Sequence, residues 1–395
     1  MRRTLLRALA LALALAPAPA LAPAPAAAQS FLGFRALGVP IEAAGARALS
    51  LGNLGIGLPN IAVSPTDPAA SARLLLPTVT VSMQPAWGDY TMGDQSGTTN
   101  TTRFPLIAIG YPATDSGVVT LSLAGHMEQR WVGERNQVIR LGGVDVPIED
   151  SFETDGGTSV ARLGWAQPVA RWLTVGASAG LYVGRLNQVF DRRLDSLVVG
   201  TEVRPYRENY QWGYGGYTFS AGVGLDPHPL VHLGGAIEWS SDLTETPDED
   251  TQGGVNTYEI PLKLSAGATA GLTQRLLFNS SFVYQDWSGA GGFAEGTVSG
   301  RKMSWGAGIE WRAMQQEFRS LPIRVGYRSG APPFRFAAQD PTETAWSLGV
   351  GFNLVELEGI PFGWIDLGVE RATRTSLPLD ENFWRGTISI GISRL

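Results

Sequence analysis

The stretch Leu173-Thr174-Val175-Gly176-Ala177-Ser178-Ala179-Gly180-Leu181 alternates strictly between apolar residues and small or polar ones. Successive side chains of a β-strand point to opposite faces, so a period of two marks a strand with one apolar face; an amphipathic helix would repeat every 3.6 residues. Tyr217, Phe219, Ala221, Val223 and Leu225 alternate with Thr218, Ser220, Gly222 and Gly224 in the same way. So do Val79, Val81 and Met83 with Thr78, Thr80 and Ser82, and Val119, Leu121 and Leu123 with Thr120 and Ser122. The pattern recurs over residues 231–239, 258–266, 303–311, 323–327, 346–352, 365–369 and 388–392. About 14 strands result, centred near residues 81, 108, 121, 163, 178, 221, 235, 263, 281, 307, 325, 349, 367 and 389. Pro105 blurs the second of them.

The connections alternate in length. Short ones fall at residues 112–117, 167–171, 226–230, 271–274, 313–321 and 355–361. Long ones fall at 88–102, 128–158, 188–213, 241–255, 288–300, 330–343 and 372–383. This alternation predicts an all-β, up-and-down antiparallel barrel that spans a membrane, with tight turns at the periplasmic end and longer outer loops. With 14 strands both ends of the barrel chain fall on the periplasmic side. Trp165, Trp172, Trp311 and Trp364 sit beside the short turns, whereas Trp87, Trp212, Trp239, Trp287, Trp305, Trp346 and Trp384 sit toward the long loops. Two aromatic girdles at the bilayer interfaces are predicted. The competing architecture, a soluble sandwich or propeller with core tryptophans, would carry dense charge on its outward face, and here the polar face is mostly Gly, Ser and Thr.

Composition fits. The 395 residues include 49 glycines, and charged residues make up only 17%, against about 25% in soluble domains. The absence of cysteine excludes disulfide scaffolds, zinc ribbons and thiol catalysis. The net charge of −6 argues against a nucleic-acid partner. Residues 1–28 have the layout of a signal peptide: Arg2, Arg3 and Arg7, an apolar run, and Ala26-Ala27-Ala28 before Gln29. Beyond them no apolar run is long enough for a helical span, which needs about 18 residues.

The polar face is expected to be the lumen. It carries Arg162, His232, Glu238, Glu259, Lys263, Glu310, Arg324, Arg328, Asp366, Glu370 and Arg385, with both signs interspersed. Two roles are open to such a list: a ladder of mutually paired charges holding the barrel interior, or a polar permeation path.

Residues 29–75 precede the first strand of the barrel (76–395) and do not alternate. They include Gly45-Ala46-Arg47-Ala48, then Gly52-Asn53-Leu54-Gly55-Ile56-Gly57, then Asp67-Pro68-Ala69, after a small-residue start at Ala43-Ala44. Asp67-Pro68 favours a turn or a helix start. So long a segment predicts a plug folded into a lumen that would otherwise be a water channel. These motifs resemble the N-terminal hatch of the FadL/TodX family of hydrophobic-compound transporters and their PorV-type relatives. The resemblance implies a hatch built on Gly52, Asn53, Gly55, Gly57, Asp67 and Pro68. It also implies a Gram-negative outer-membrane location, with lipid around the wall and a hydrophobic small-molecule ligand. Asp67 stands where the family usually has Asn, and the chain ends Ile392-Ser393-Arg394-Leu395 without a terminal aromatic residue.

Catalytic chemistry is sparse. The histidines are His126, His228 and His232. A Ser122–His126 pair is conceivable on one strand face, but a lumen histidine is the simpler reading. The acidic run Asp242, Glu245, Asp248, Glu249, Asp250 follows no known calcium-loop spacing, so a solvated loop is expected. The expected function is passive outer-membrane diffusion of hydrophobic compounds such as long-chain fatty acids or hydrocarbons, without cofactor, metal or enzymatic activity. The alternatives are a PorV-type barrel that docks secreted or partner proteins on its outer loops, and a general porin with an open lumen.

Overall fold

The computed structural model describes residues 30–393, apart from residues 35, 43, 60–62, 115, 142, 195–205, 317–318, 338 and 358–359. The signal-peptide reading of residues 1–28, Gln29, Ala43 and the last two residues lie outside the described residues.

Fourteen antiparallel strands form the wall: β1 (Thr78–Met92), β2 (Gln95–Pro112), β3 (Val118–Leu141), β4 (Val144–Ala170), β5 (Leu173–Leu194), β6 (Tyr206–His228), β7 (Val231–Ser240), β8 (Lys263–Gly271), β9 (Leu276–Asp286), β10 (Arg301–Gln316), β11 (Arg319–Gly330), β12 (Thr342–Leu357), β13 (Ile360–Ser376) and β14 (Leu379–Ser393). Each pairs with its sequence neighbours, and β14 closes the barrel on β1, from Ser393↔Thr78 to Leu379↔Met92. Closure on β1 leaves neither terminal strand unpaired, as a lipid environment demands. Every strand centre predicted from the alternation falls inside one of these strands. Three further short strands, Val39–Pro40, Leu243–Pro247 and Asn256–Tyr258, lie off the main wall.

The alternation resolves into two faces. Val79, Val81, Ile107, Ile109, Leu121, Leu123, Leu181 and Phe219 are exposed on the outside, whereas Thr78, Thr80, Ser82, Ser122, Ser220, Ser281 and Ser389 are buried inside. The polarity is that of a lipid-facing wall around a polar interior.

The long connections differ from simple loops. Several are tall hairpins in which the strands run on beyond the membrane: β3 has 24 residues, β4 27, β5 22 and β6 23, where roughly 9–11 suffice to cross. Side-chain clamps hold these extensions in place of lipid. Fully buried Asp150 on β4 accepts from Arg192 at 2.6 and 2.9 Å, from Arg135 at 2.9 Å and from Gln137 at 3.0 Å. The Arg192 hydrogen bonds hold its carboxyl well below the usual carboxylate range, with Arg135 adding to the effect.

Tryptophan placement divides. Trp165, Trp172 and Trp311 are exposed at the short-turn end, and Trp87, Trp239, Trp305, Trp346 and Trp384 at the other. Three of the eleven assigned to girdles point inward instead. Trp287 is fully buried, 5.4 Å from Phe334 and 6.1 Å from Phe293. Trp212 packs against the same interior cluster. Trp364 lines the lumen; it shares the parity of Asp366, and that parity already marked it as an inward position.

Candidate functional site

The described part of residues 30–75 runs inside the barrel, from Ser30 beside Glu381 at the outer mouth to Arg73 beside Asp226 at a periplasmic turn. Its first described residue lies at the outer mouth: Ser30 Oγ donates to Glu381 at 2.8 Å and accepts from Arg374 Nη1 at 2.8 Å. The Phe31 ring lies 5.1 Å from Tyr90, 5.5 Å from Trp131 and 5.9 Å from Phe336. Val39–Pro40 then pairs with Glu128 and Met127 of β3, and Glu42 meets Lys302 at 3.0 Å.

Below this the chain forms α1 (Ala46–Ser50), a single turn held to the wall through Ala46 N to Ser389 Oγ at 2.8 Å and Arg47 to Glu310 at 3.1 Å. Asn53 is fully buried. Its Nδ2 donates to Ile56 O at 3.0 Å and to Asn279 Oδ1 at 2.8 Å, while its Oδ1 accepts from Gly55 N at 2.6 Å. Asp67 ties the next turn back, accepting from Gly57 N and Ala69 N at 3.2 Å each. The short 3₁₀ helix Ala70–Arg73 starts three residues after Asp67, so Asp67-Pro68 makes a turn ahead of the helix rather than its cap. Pro68 rests against Gly176 and Gly222 of the wall, and Arg73 pairs with Asp226 at 2.6 Å beside the periplasmic turn.

Glycine has a specific task at Gly57. Its φ of +70° lies in the left-handed region, and a Cβ there would sit 2.5 Å from the Gly267 carbonyl carbon. Gly57→Ala is expected to destabilise by about 1–2 kcal/mol from the backbone conformation alone, with the steric clash on top. Urea titration of the detergent-solubilised protein checks this through a lowered midpoint, and an unchanged midpoint contradicts the contact.

Most of the lumen charges are paired with one another, in separate clusters. Arg324 joins Glu310 at 2.8 Å and Asp366 at 2.5 Å. Glu370 accepts from Arg385 at 2.7 Å and Arg328 at 3.0 Å. Arg374 bridges Glu343 at 2.5 Å and Glu381 at 2.9 Å, and Arg162 meets Glu238 at 3.0 Å. Lys263 makes no ion pair among the described residues. Glu259 accepts from Gly291 N at 3.1 Å in an outer loop, and His232 meets Asp226 at 2.7 Å. The sequence reading missed Glu42, Arg103, Glu128, Lys302, Glu343, Arg374 and Glu381. Parity offered Lys302, which alternates in step with Ser304 and Glu310; the others lie on the plug or on outer strand extensions without a lipid-facing pattern.

The wall itself is split. β2 and β3 pair only from Leu106↔Ala124 to Pro112↔Val118. Pro105 has no N–H to continue the ladder, and β3 carries a register shift between Gly125 and Met127. Outward of that point side chains bridge the strands: Arg103 to Glu128 at 2.6 Å and Arg130 to Thr101 at 2.8 Å. The free edge of β3 is occupied by Val39–Pro40, with Ile41 N donating to His126 O at 2.9 Å. Ile41 Cδ1 fills the space a Cβ of Gly125 would take.

Inside the slit lies a cavity of about 790 Å³ between the N-terminal segment and the wall. Ile41, Leu58, Val63, Leu106 and Ala124 line it together with His126, Arg162, Lys263, Glu310 and Asp366. Toward the outer mouth the interior is filled by Leu37, Met127, Tyr182, Tyr214, Leu243, Trp287 and Phe334. His126 packs edge-on to Tyr182 at 5.1 Å, and its Nε2 is buried without a partner, so the Ser122–His126 arrangement is not formed. In the acidic run, Glu245 is buried and accepts from Tyr214, Asn256 and Tyr258 at 2.9 Å each. No group of three or more metal-ligating side chains occurs among the described residues.

A closed 14-strand antiparallel barrel with an apolar exterior and a polar, internally filled lumen defines an outer-membrane-type β-barrel. No protein-family model matches the chain, and no curated protein matches its sequence. Solved structures do match. A Pseudomonas aeruginosa FadL homologue aligns with TM-score 0.58 at 13% identity, covering 90% of this chain and 99% of that one. The Ralstonia pickettii toluene transporter TbuX aligns at 0.57 and 15%, covering 90% and 99%. The Pseudomonas putida toluene transporter TodX aligns at 0.58 and 12%, covering 91% and 99%. The fold of this chain is therefore that of the FadL/TodX-type transporters, over nearly their whole length.

Proposed function

We propose that the protein is an outer-membrane channel through which hydrophobic small molecules diffuse passively, gated by residues 30–75. The observation that carries this reading is the β2–β3 slit. A barrel wall whose ladder stops at Leu106–Ala124, and whose free β3 edge is covered by Val39–Pro40 of the internal segment, has a removable closure. An apolar ligand entering past the aromatic cluster at the outer mouth would reach the cavity beneath Ile41. It would leave through the slit into the bilayer or past α1 into the periplasm. Gly52, Asn53, Gly55, Gly57, Asp67 and Pro68 would hold the hatch to the wall, and the paired lumen charges would keep the barrel shape while the hatch moves. The similarity to FadL-type and toluene-transporting structures supports this reading through the fold. The test is uptake of a radiolabelled alkane, arene or fatty acid into proteoliposomes. Saturable uptake above empty vesicles is expected, and its absence for all three ligands contradicts the proposal.

A further inference from the structure

We infer that the outside of the barrel carries a docking surface for a phosphorylated glycolipid of the outer leaflet, with the guanidinium of Arg371 as its phosphate-binding group. The inference does not depend on the channel reading, since it concerns the lipid-facing wall. Arg371 stands at the long-loop end of β13 and continues the outward parity of Leu367 and Val369. The register places it in one outward row with exposed tryptophans. Trp346 of β12 is directly opposite on one side, Trp384 of β14 on the other, and Trp87 of β1 lies beyond Trp384. Tyr327 of β11 extends the row, 4.8 Å from Trp346. A row of this kind marks the depth of the lipid headgroups.

A charge aimed at lipid is unfavourable until it meets a counter-charge. Arg371 makes no ion pair among the described residues. The outward carboxylates nearest to it by register do not face it: Asp89 stands two strands away, and Asp380 two rows further out. Its guanidinium carbon lies 5.4 Å from the Trp384 ring centroid. That cation–π contact uses the face of the planar group and leaves its N–H edges for an acceptor. Two phosphate oxygens fit those edges as a bidentate pair. The next outward row is polar: Thr344, Thr373 and Asn382 oppose one another across β12, β13 and β14, and Thr373 Oγ1 donates to Asn382 at 2.9 Å. Toward the membrane centre the wall is apolar, with Leu348, Leu367 and Ile390 exposed. In order of depth the surface offers an acyl-binding wall, one cation between indoles, and a row of hydroxyl and amide groups. Acyl chains, phosphate and sugar hydroxyls follow the same order in a phosphorylated glycolipid. A zwitterionic phospholipid has no sugar, and its own cation is repelled by Arg371.

The experiment is native mass spectrometry of the detergent-solubilised protein titrated with diphosphoryl lipid A, phosphatidylglycerol and phosphatidylcholine, reading the first binding constant. Lipid A is expected to bind roughly ten-fold or more tightly than phosphatidylcholine, the scale of one charge-assisted hydrogen bond. Arg371→Gln is expected to bring lipid A down to the phosphatidylcholine level, and Arg371→Lys to keep part of the preference. Arg301→Gln removes an exposed arginine at the outer end of β10 that already pairs with Asp286 at 3.4 Å, and is expected to leave lipid A binding unchanged. Asn382→Leu is expected to weaken lipid A binding and to leave phosphatidylglycerol binding as it was. Inorganic phosphate is expected not to displace the lipid. Equal lipid A binding by the native protein and Arg371→Gln overturns the inference, as does displacement by inorganic phosphate. Phosphatidylglycerol binding as tightly as lipid A overturns the glycolipid assignment.

Discussion

Removal of residues 30–75 is expected to turn a nearly silent barrel into a steadily conducting one. The segment supplies the material that crosses the lumen: Phe31 at the outer mouth, α1 against β12 and β13, Gly57 against Gly267, and Arg73 at the periplasmic turn. A barrel of 14 strands is wide enough to leave a water path once such a filling is gone. Planar-bilayer recording should show single-channel current for the truncated protein roughly ten-fold or more above the untruncated protein, the difference between a filled and a water-filled lumen. The wall does not depend on the segment for closure, because β14 pairs with β1 along its length. The truncated barrel should therefore keep its heat-modifiable migration in denaturing gels. A folded but silent truncated barrel would contradict the assignment of residues 30–75 as the plug.

The second large effect is expected at Glu370. Its side chain is fully buried and accepts from Arg328 at 3.0 and 3.2 Å and from Arg385 at 2.7 Å. Arg328 keeps Glu343 if Glu370 is lost, whereas Arg385 has no other hydrogen-bond partner among the described residues. Removing one member of a buried ionic network strands the remaining charge at a cost on the order of 3–5 kcal/mol. Glu370→Ala should lower unfolding stability in urea by that amount, and the double variant Glu370→Ala with Arg385→Met should recover much of it, since the stranded charge goes too. A loss below about 1 kcal/mol would mean that water in the lumen already solvates the pair, as for surface ion pairs.

How far the sequence carried this structure depends on where a single physical rule governs a segment. Within the bilayer, lipid imposes one apolar face, so Val79–Val81, Leu121–Leu123 and Leu173–Leu181 announced their strands by alternation alone. Above the bilayer no face is required to be apolar. Residues 128–158 therefore read as loop, although they form the tallest hairpin, held by Asp150 and its arginines. The inward turn of Trp287 was hidden for the same reason: its neighbours Phe293 and Phe334 lie in connections without a period. The Gly52–Gly57 and Asp67-Pro68 motifs stood out because tight turns restrict residue type. The path of the segment to the outer mouth could not be read, since it depends on Ser30 meeting Glu381 some 351 positions away. The β2–β3 slit was half visible in Pro105, which disturbs the alternation; its other half, Val39–Pro40 on the β3 edge, is a tertiary contact. The lone charge of Lys263 emerges only when each neighbouring carboxylate has been matched to its own partner.

The central claim is that the N-terminal segment must leave the β3 edge for a ligand to pass. Pro40 and Met127 are directly opposed across an antiparallel pair, where Cα atoms lie about 4.5–5.5 Å apart, a separation that a disulfide spans. The chain has no native cysteine, so a Pro40→Cys, Met127→Cys protein forms one defined cross-link. The decisive measurement is saturable ligand uptake by this variant in proteoliposomes, oxidised and then reduced. Near-complete loss of uptake on oxidation, restored by a thiol reductant, is the predicted result. Uptake that continues at the native rate with the cross-link in place would show that ligand passes without release of the segment, and would contradict the gating account.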